Sequence, residues 1–169
     1  MNQSAPPTVD DHIAEAMTPV GTIDVVPRPS PEAKRLIRRY AAWAAAAGLI
    51  PIPLVDTVAL TTSIVKMMTE LDRLHGWKTD AGFVRSAALI LLGTAGPKVL
   101  VGSGGKMVPG LQMGAMVALA AFGSAATWAV GQVYASHLAS GAAPQSLNLE
   151  FAKEAVAQAF EARKAKGTP

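Results

Sequence analysis

The sequence predicts an all-α protein: helical hairpins with apolar, proline-containing tips, followed by a C-terminal amphipathic helix. Three observations lead there. Apolar residues recur at helical spacing between Leu60 and Leu74. No Asp, Glu, Lys or Arg occurs from Met107 to Leu149. Proline and glycine interrupt the apolar runs where a chain of helices needs turns, and the one short strand-like run, "KVLV", stands alone.

The chain has 169 residues, enough for one domain with a real core. Half of them are hydrophobic, only 16% are charged, and the mean hydropathy is +0.29. Soluble domains carry roughly 25% charge, so water is not the only solvent this composition fits. The net charge of +3 comes from basic residues gathered near segment ends, which suits anionic lipid headgroups better than a nucleic-acid groove. With aromatics at 5%, base stacking has little to use, and no nucleic-acid partner is expected. The absence of cysteine excludes disulfides and thiolate chemistry, and His12, His75 and His137 are too far apart for a local metal motif. No catalytic, cofactor or metal residues are assigned. The N-terminal "MNQSAPPTVDDHIAEAM" lacks the basic and apolar regions of a secretory signal, so neither cleavage nor export is expected.

Residues 1–29 read as a flexible arm, rich in proline, threonine and acid. Helix formation begins at "RPSPEAKRLIRRY", where Ser30 can cap, Pro31 needs no N–H partner and Glu32 meets the positive end of the dipole. This helix runs to about Gly48, basic at its start (Lys34, Arg35, Arg38, Arg39) and apolar at its end. Those four cations are the expected contacts to anionic lipid.

The stretch "GLIPIPLVD" then punctuates a hairpin, because Pro51 and Pro53 remove backbone donors where the chain must reverse. Leu49, Ile50, Pro51, Ile52, Pro53 and Leu54 form its apolar tip. Asp56 is read as the cap of the next helix, Thr57 to about His75, in preference to an intramembrane functional acid. Leu60, Ile64, Met67, Met68, Leu71 and Leu74 make its apolar face, with the methionine pair read as packing.

Asp80 is a candidate cap for a third helix through "AGFVRSAALILLG". The glycine-rich stretch that follows fails as a phosphate loop: Lys106 precedes Met107 where Ser or Thr is required, and Leu100 stands at the earlier glycine position. Met107, Val108, Pro109 and Leu111 form a second apolar tip leading into "LQMGAMVALAAFGSAATWAVGQVYASHL", long and apolar enough to be a transmembrane candidate and equally readable as a buried bundle helix. Gly123, Thr127, Gly131 and Ala135 form a small-residue ridge for close helix packing, and Trp128 and Tyr134 are placed at an interface. Residues 142–169 are a linker and a last amphipathic helix with Leu149, Ala152, Val156 and Phe160 in its stripe.

The turn at Pro51 and Pro53 with Asp56, the "MMTELDRLHGW" after it and the later "MVPGLQMGAMVALAAFGSAATWAVGQVYASHLASG" resemble the YcjF-like family of uncharacterised bacterial membrane proteins, often associated with Era-like GTPases. The resemblance covers roughly Arg35 to Gly141. It implies an all-helical membrane module over residues 30–141 and a GTPase partner in trans, and it carries no catalytic residues to transfer.

The expected function is therefore that of a non-enzymatic membrane adaptor or scaffold. Its hairpin tips enter the bilayer of the inner membrane and its soluble ends face the cytoplasm. Its partners are the lipid bilayer, further copies of itself and a GTPase in trans. The alternative is a soluble homo-oligomeric scaffold that buries the same apolar faces between subunits.

Overall fold

The computed structural model describes residues 27–48, 55–94 and 112–165. Five α-helices occupy them: α1 Pro31–Gly48, α2 Val55–Leu74, α3 Ala81–Thr94, α4 Gln112–Ala139 and α5 Leu149–Ala165. A 3-10 turn covers Pro144–Ser146, and there is no strand among the described residues.

Local chemistry sets several of the helix ends. Ser30 Oγ accepts from the Ala33 N–H at 3.1 Å, and Asp80 Oδ2 accepts from the Phe83 N–H at 3.0 Å, each satisfying a first-turn donor. Asn148 does the same for α5, accepting from Glu150 and Phe151 at 3.1 Å each, a cap that the sequence reading overlooked. At the end of α2, Gly76 has φ of +79°, its N–H bonds to Arg73 O, and the Trp77 N–H reaches Asp72 O at 2.8 Å. This pair of bonds closes a Schellman turn, which needs a residue without Cβ at that position.

α4 is the axis of the bundle and packs against each of the other four helices. That surrounds it with protein on several sides and explains why its composition is apolar around the whole circumference. Small residues let α1 lie close: a Cβ on Gly48 would stand 2.7 Å from the Cα of Ala120, and one on Gly123 would stand 3.3 Å from the carbonyl oxygen of Ala44. Further along, a Cβ on Gly131 would meet Ile37 Cγ1 at 2.9 Å. As the α4 number rises the α1 number falls, so the two helices are antiparallel. α2 runs parallel to α4, with Leu60 beside Gly123 and Met67 beside Gly131.

The core joins Ile37 of α1, Ile64, Met67, Met68 and Leu71 of α2, Leu91 of α3, Val130 and Tyr134 of α4 and Val156 of α5. Both methionines are fully buried among these apolar neighbours. Leu74 is 41% exposed instead of joining the stripe, because α2 stops there and the chain turns away at Gly76.

Candidate functional site

α4 serves as a ruler for the bundle. Gly48 stands beside Ala120, Ala44 and Leu60 beside Gly123, and Ile37 and Met67 beside Gly131. The C-terminal end of α1, the N-terminal end of α2 and the N-terminal half of α4 therefore meet at one pole. α3 joins them with its C-terminal end, since Val58, Val65, Arg85 and Leu89 line one groove between the antiparallel α2 and α3.

Charge is sparse at this pole, where the segments of α1, α2, α3 and α4 that form it carry one ionisable carboxyl, Asp56 in the first turn of α2. Residues 40–48, 57–65, 86–94 and 112–136 contain no Asp, Glu, Lys or Arg. Nine helical residues rise about 13 Å, so the charge-free zone is several turns deep on three helices and deeper on α4. It ends at Arg39 on α1, Lys66 on α2 and Arg85 on α3. Arg39 and Lys66 line the same groove, and Arg85 shares one with Val65, so the three cations form a belt at one level.

Exposed large apolar side chains gather on the same side. Trp43 and Val58 are each 68% exposed, Val117 62% and Leu89 51%, with Ile90 next to Leu89 also exposed. Among the described residues only Leu74 and Phe151 are comparable elsewhere. Apolar side chains scattered singly over a surface mean little, whereas a cluster above a basic belt marks a contact surface.

Within the belt, Arg39 pairs with Glu70, which also accepts from the Tyr40 hydroxyl at 2.7 Å. Partial burial, then the Glu70 carboxylate, raise the Tyr40 phenol above the ordinary tyrosine pKa. The ion pair is largely exposed and contributes little to stability. It orients the Arg39 side chain and ties α1 to α2.

α5 limits the pole on one flank. It climbs beside α4 past Phe122, whose ring lies 5.3 Å from that of Phe160, and ends five residues later at Ala165. The Arg163 guanidinium turns back over the Trp128 ring at 5.2 Å, while Glu161 and Lys164 remain at the exposed end. Above the level of Phe122 stand α4 residues 112–121, ten residues or about 15 Å of helix.

The residues singled out from sequence fall as follows. Arg35, Arg38 and Arg39 are exposed on the first half of α1, with Lys34 partly covered. Arg39 belongs to the belt and already has Glu70 as partner. The two apolar tips, residues 49–54 and 107–111, lie outside the described residues. α2 begins at Val55, two residues earlier than expected, so Asp56 falls within its first turn and not ahead of it. Gly123, Thr127, Gly131 and Ala135 are all buried; Gly131 faces Ile37 and Met67, and Gly123 faces Ala44 and Leu60.

Tyr134 departs from the interface position expected of it. It is fully buried, and its hydroxyl donates to Asp72 Oδ1 at 2.6 Å. Asp72 was not singled out at all, although a signal existed: it lies at helical spacing from Ile64 and Met68 on the apolar face of α2, where a carboxylate demands a donor from another helix. Among the described residues no group of three or more His, Asp or Glu side chains is placed to hold a metal ion.

Among the described residues one helical stretch, Met116–Ala139, is long and apolar enough to cross a membrane, and 56% of its most apolar window is buried by the bundle. No family model matches the sequence, and no solved structure matches it. The chain is 32% identical over 139 residues to magnetosome membrane protein 22 of Magnetospirillum gryphiswaldense, the match taking in 79% of this chain and 71% of that protein.

Proposed function

The chain belongs to the family of magnetosome membrane protein 22, and from that membership we propose that it is a non-enzymatic membrane protein whose apolar pole inserts into one leaflet of a bilayer, leaving the charged half as an adaptor surface. The observation that carries this reading is the segregation of charge: the cations of three helices end at the same level, Arg39, Lys66 and Arg85, above which the exposed apolar side chains cluster and Asp56 at the start of α2 is the one charged residue of those three helices. Each of Trp43, Val58 and Val117 gains on the order of 1–2 kcal/mol on leaving water, so a few together sustain binding. The belt then meets the headgroups, and Trp43, one turn above Arg39, takes the interfacial position that tryptophan favours.

Depth favours one leaflet over a full crossing. The roughly 15 Å of α4 above the Phe122–Phe160 contact is half of a hydrocarbon core of about 30 Å, and α5 flanks only the first part of it with residues 161–165. Carrying the rest of α4 across with its neighbours attached would drag Arg39, Lys66, Glu70 and Asp72 into hydrocarbon, at a cost of at least ~2.5 kcal/mol for each charge. The inner membrane, self-association and a GTPase in trans, the partner class implied by the YcjF-like resemblance, complete the reading.

A soluble homo-oligomeric scaffold is the competing reading, favoured by the burial of α4 within its own bundle. Alkaline carbonate extraction of membranes, followed by flotation of the purified protein with liposomes, separates the two. Retention in the washed pellet and flotation support insertion. A monodisperse, detergent-free particle that stays at the bottom of the gradient overturns it.

A further inference from the structure

We propose that the groove between α1 and α2 is a specific site for one anionic phospholipid, its phosphate held between Arg39 and Lys66 and one acyl chain lying along Trp43, Ala44, Ala47 and Ala59. The proposal rests on the membrane reading and gives it a ligand. The groove has a volume of about 620 Å³, within the ~300–1,000 Å³ range of small-molecule sites.

The two ends of the groove differ in chemistry, and the difference runs along the bundle axis. Arg39, Tyr40, Lys66, Thr62 and Ser63 line it toward the charged half, whereas Trp43, Ala44, Ala47 and Ala59 line it toward the apolar pole. From Arg39 to Ala47 is eight residues of helix, about 12 Å, which matches a lipid standing head-to-belt and tail-to-bilayer. The alanines leave a trough in the wall that larger side chains would fill, and Trp43, 68% exposed, flanks it.

Charge complementarity selects the headgroup. Lys66 is exposed and has no ion-pair partner among the described residues, so its ammonium is available to a phosphate. Arg39 engages Glu70 through Nη2, and a guanidinium carries five N–H donors in all, so donors remain for a second oxygen. Glu70 is the acidic side chain that faces Arg39 at this end of the groove. It lies one turn farther from the pole than Lys66 and is already held by Arg39 and the Tyr40 hydroxyl.

The test uses the full chain in mild detergent, titrated with phosphatidylglycerol brominated in its acyl chains, the same acyl chains on phosphatidylcholine, and glycerol phosphate alone. Quenching of Trp43 fluorescence, taken as the difference between the parent and Trp43→Phe, reports the chain, and native mass spectrometry counts bound lipid. One phosphatidylglycerol per protein, saturable quenching, about fivefold weaker binding for Lys66→Gln, and loss of quenching for Ala47→Phe with an unchanged circular dichroism spectrum are expected. Equal binding of phosphatidylcholine, or Lys66→Gln binding like the parent, overturns the site. Binding of glycerol phosphate as tight as that of the lipid overturns the acyl-chain assignment. Liposome flotation of Lys66→Gln keeps the two readings apart: flotation like the parent with lost headgroup selectivity in detergent supports the site, while failure of the parent itself to float strikes the membrane reading.

Discussion

The Tyr134 hydroxyl donates to Asp72 Oδ1 at 2.6 Å inside the bundle, joining α4 to α2 across 62 positions of sequence. Both residues are almost completely buried, and the second oxygen of Asp72 has no hydrogen-bond partner. The bond couples the axial helix to the helix that ends in the Schellman turn at Gly76, because the Asp72 carbonyl also receives the Trp77 N–H. Removing the donor strands a buried carboxylate, whereas changing the acid to an amide keeps an acceptor and removes the charge.

Tyr134→Phe is accordingly expected to lower stability by ~2–4 kcal/mol, and Asp72→Asn by clearly less. Denaturant unfolding in detergent, with the double variant closing a thermodynamic cycle, measures the coupling. Equal effects of the two single changes with no coupling would show that the bond contributes nothing beyond packing.

Gly48→Ala and Gly131→Leu should both loosen the seat of α1 on α4. The new Cβ at Gly48 meets backbone, at 2.7 Å from Ala120, and backbone cannot rotate away. At Gly131 it meets Ile37 Cγ1 and Cγ2 at 2.9 and 3.0 Å, on a β-branched side chain with little freedom. A loss of about 1–3 kcal/mol is expected for each, read as a lower melting temperature. Gly123→Ala, whose nearest contact is 3.3 Å, should be milder. The reverse order of severity would mean that α1 does not pack as described.

Asp substitutions at the pole test insertion. Val58→Asp and Val117→Asp, at exposed positions, should leave the fold intact yet release the protein from liposomes, since an ionised carboxylate in hydrocarbon costs at least ~2.5 kcal/mol. Ile50→Asp and Ile52→Asp in the first apolar tip should act likewise. Co-flotation gives the readout, and variants that float like the parent place these residues against protein or water.

Replacing Lys34, Arg35, Arg38 and Arg39 together by Gln should weaken binding to anionic liposomes and leave binding to neutral ones nearly unchanged, at roughly 1 kcal/mol per basic residue near the surface. Flotation at low and high salt reads the effect, and an equal loss on neutral lipid would assign these residues to folding.

Asp56→Asn should change stability by less than about 1 kcal/mol, because a first-turn carboxylate gains only a dipole interaction of that size and asparagine also serves near a helix start. Thermal melting and flotation of this variant check it. Loss of a partner-dependent activity with the fold and lipid binding intact would make Asp56 a functional acid.

The sequence by itself determined the helices and most of their limits, because those depend on chemistry within a few residues: Ser30 before Pro31, Asp80 before Ala81, glycine at Gly48 and the charge-free run that becomes α4. It also carried the small-residue ridge, but not what fills it. Only the tertiary structure decided that α1 of the same chain occupies that ridge, that Tyr134 turns inward to Asp72, and that Arg39, Lys66 and Arg85 reach one level around the bundle. These are relations of register between helices far apart in sequence. Register is set by how glycine, alanine and β-branched side chains interlock across the interfaces, and no window along one helix contains both sides of that contact.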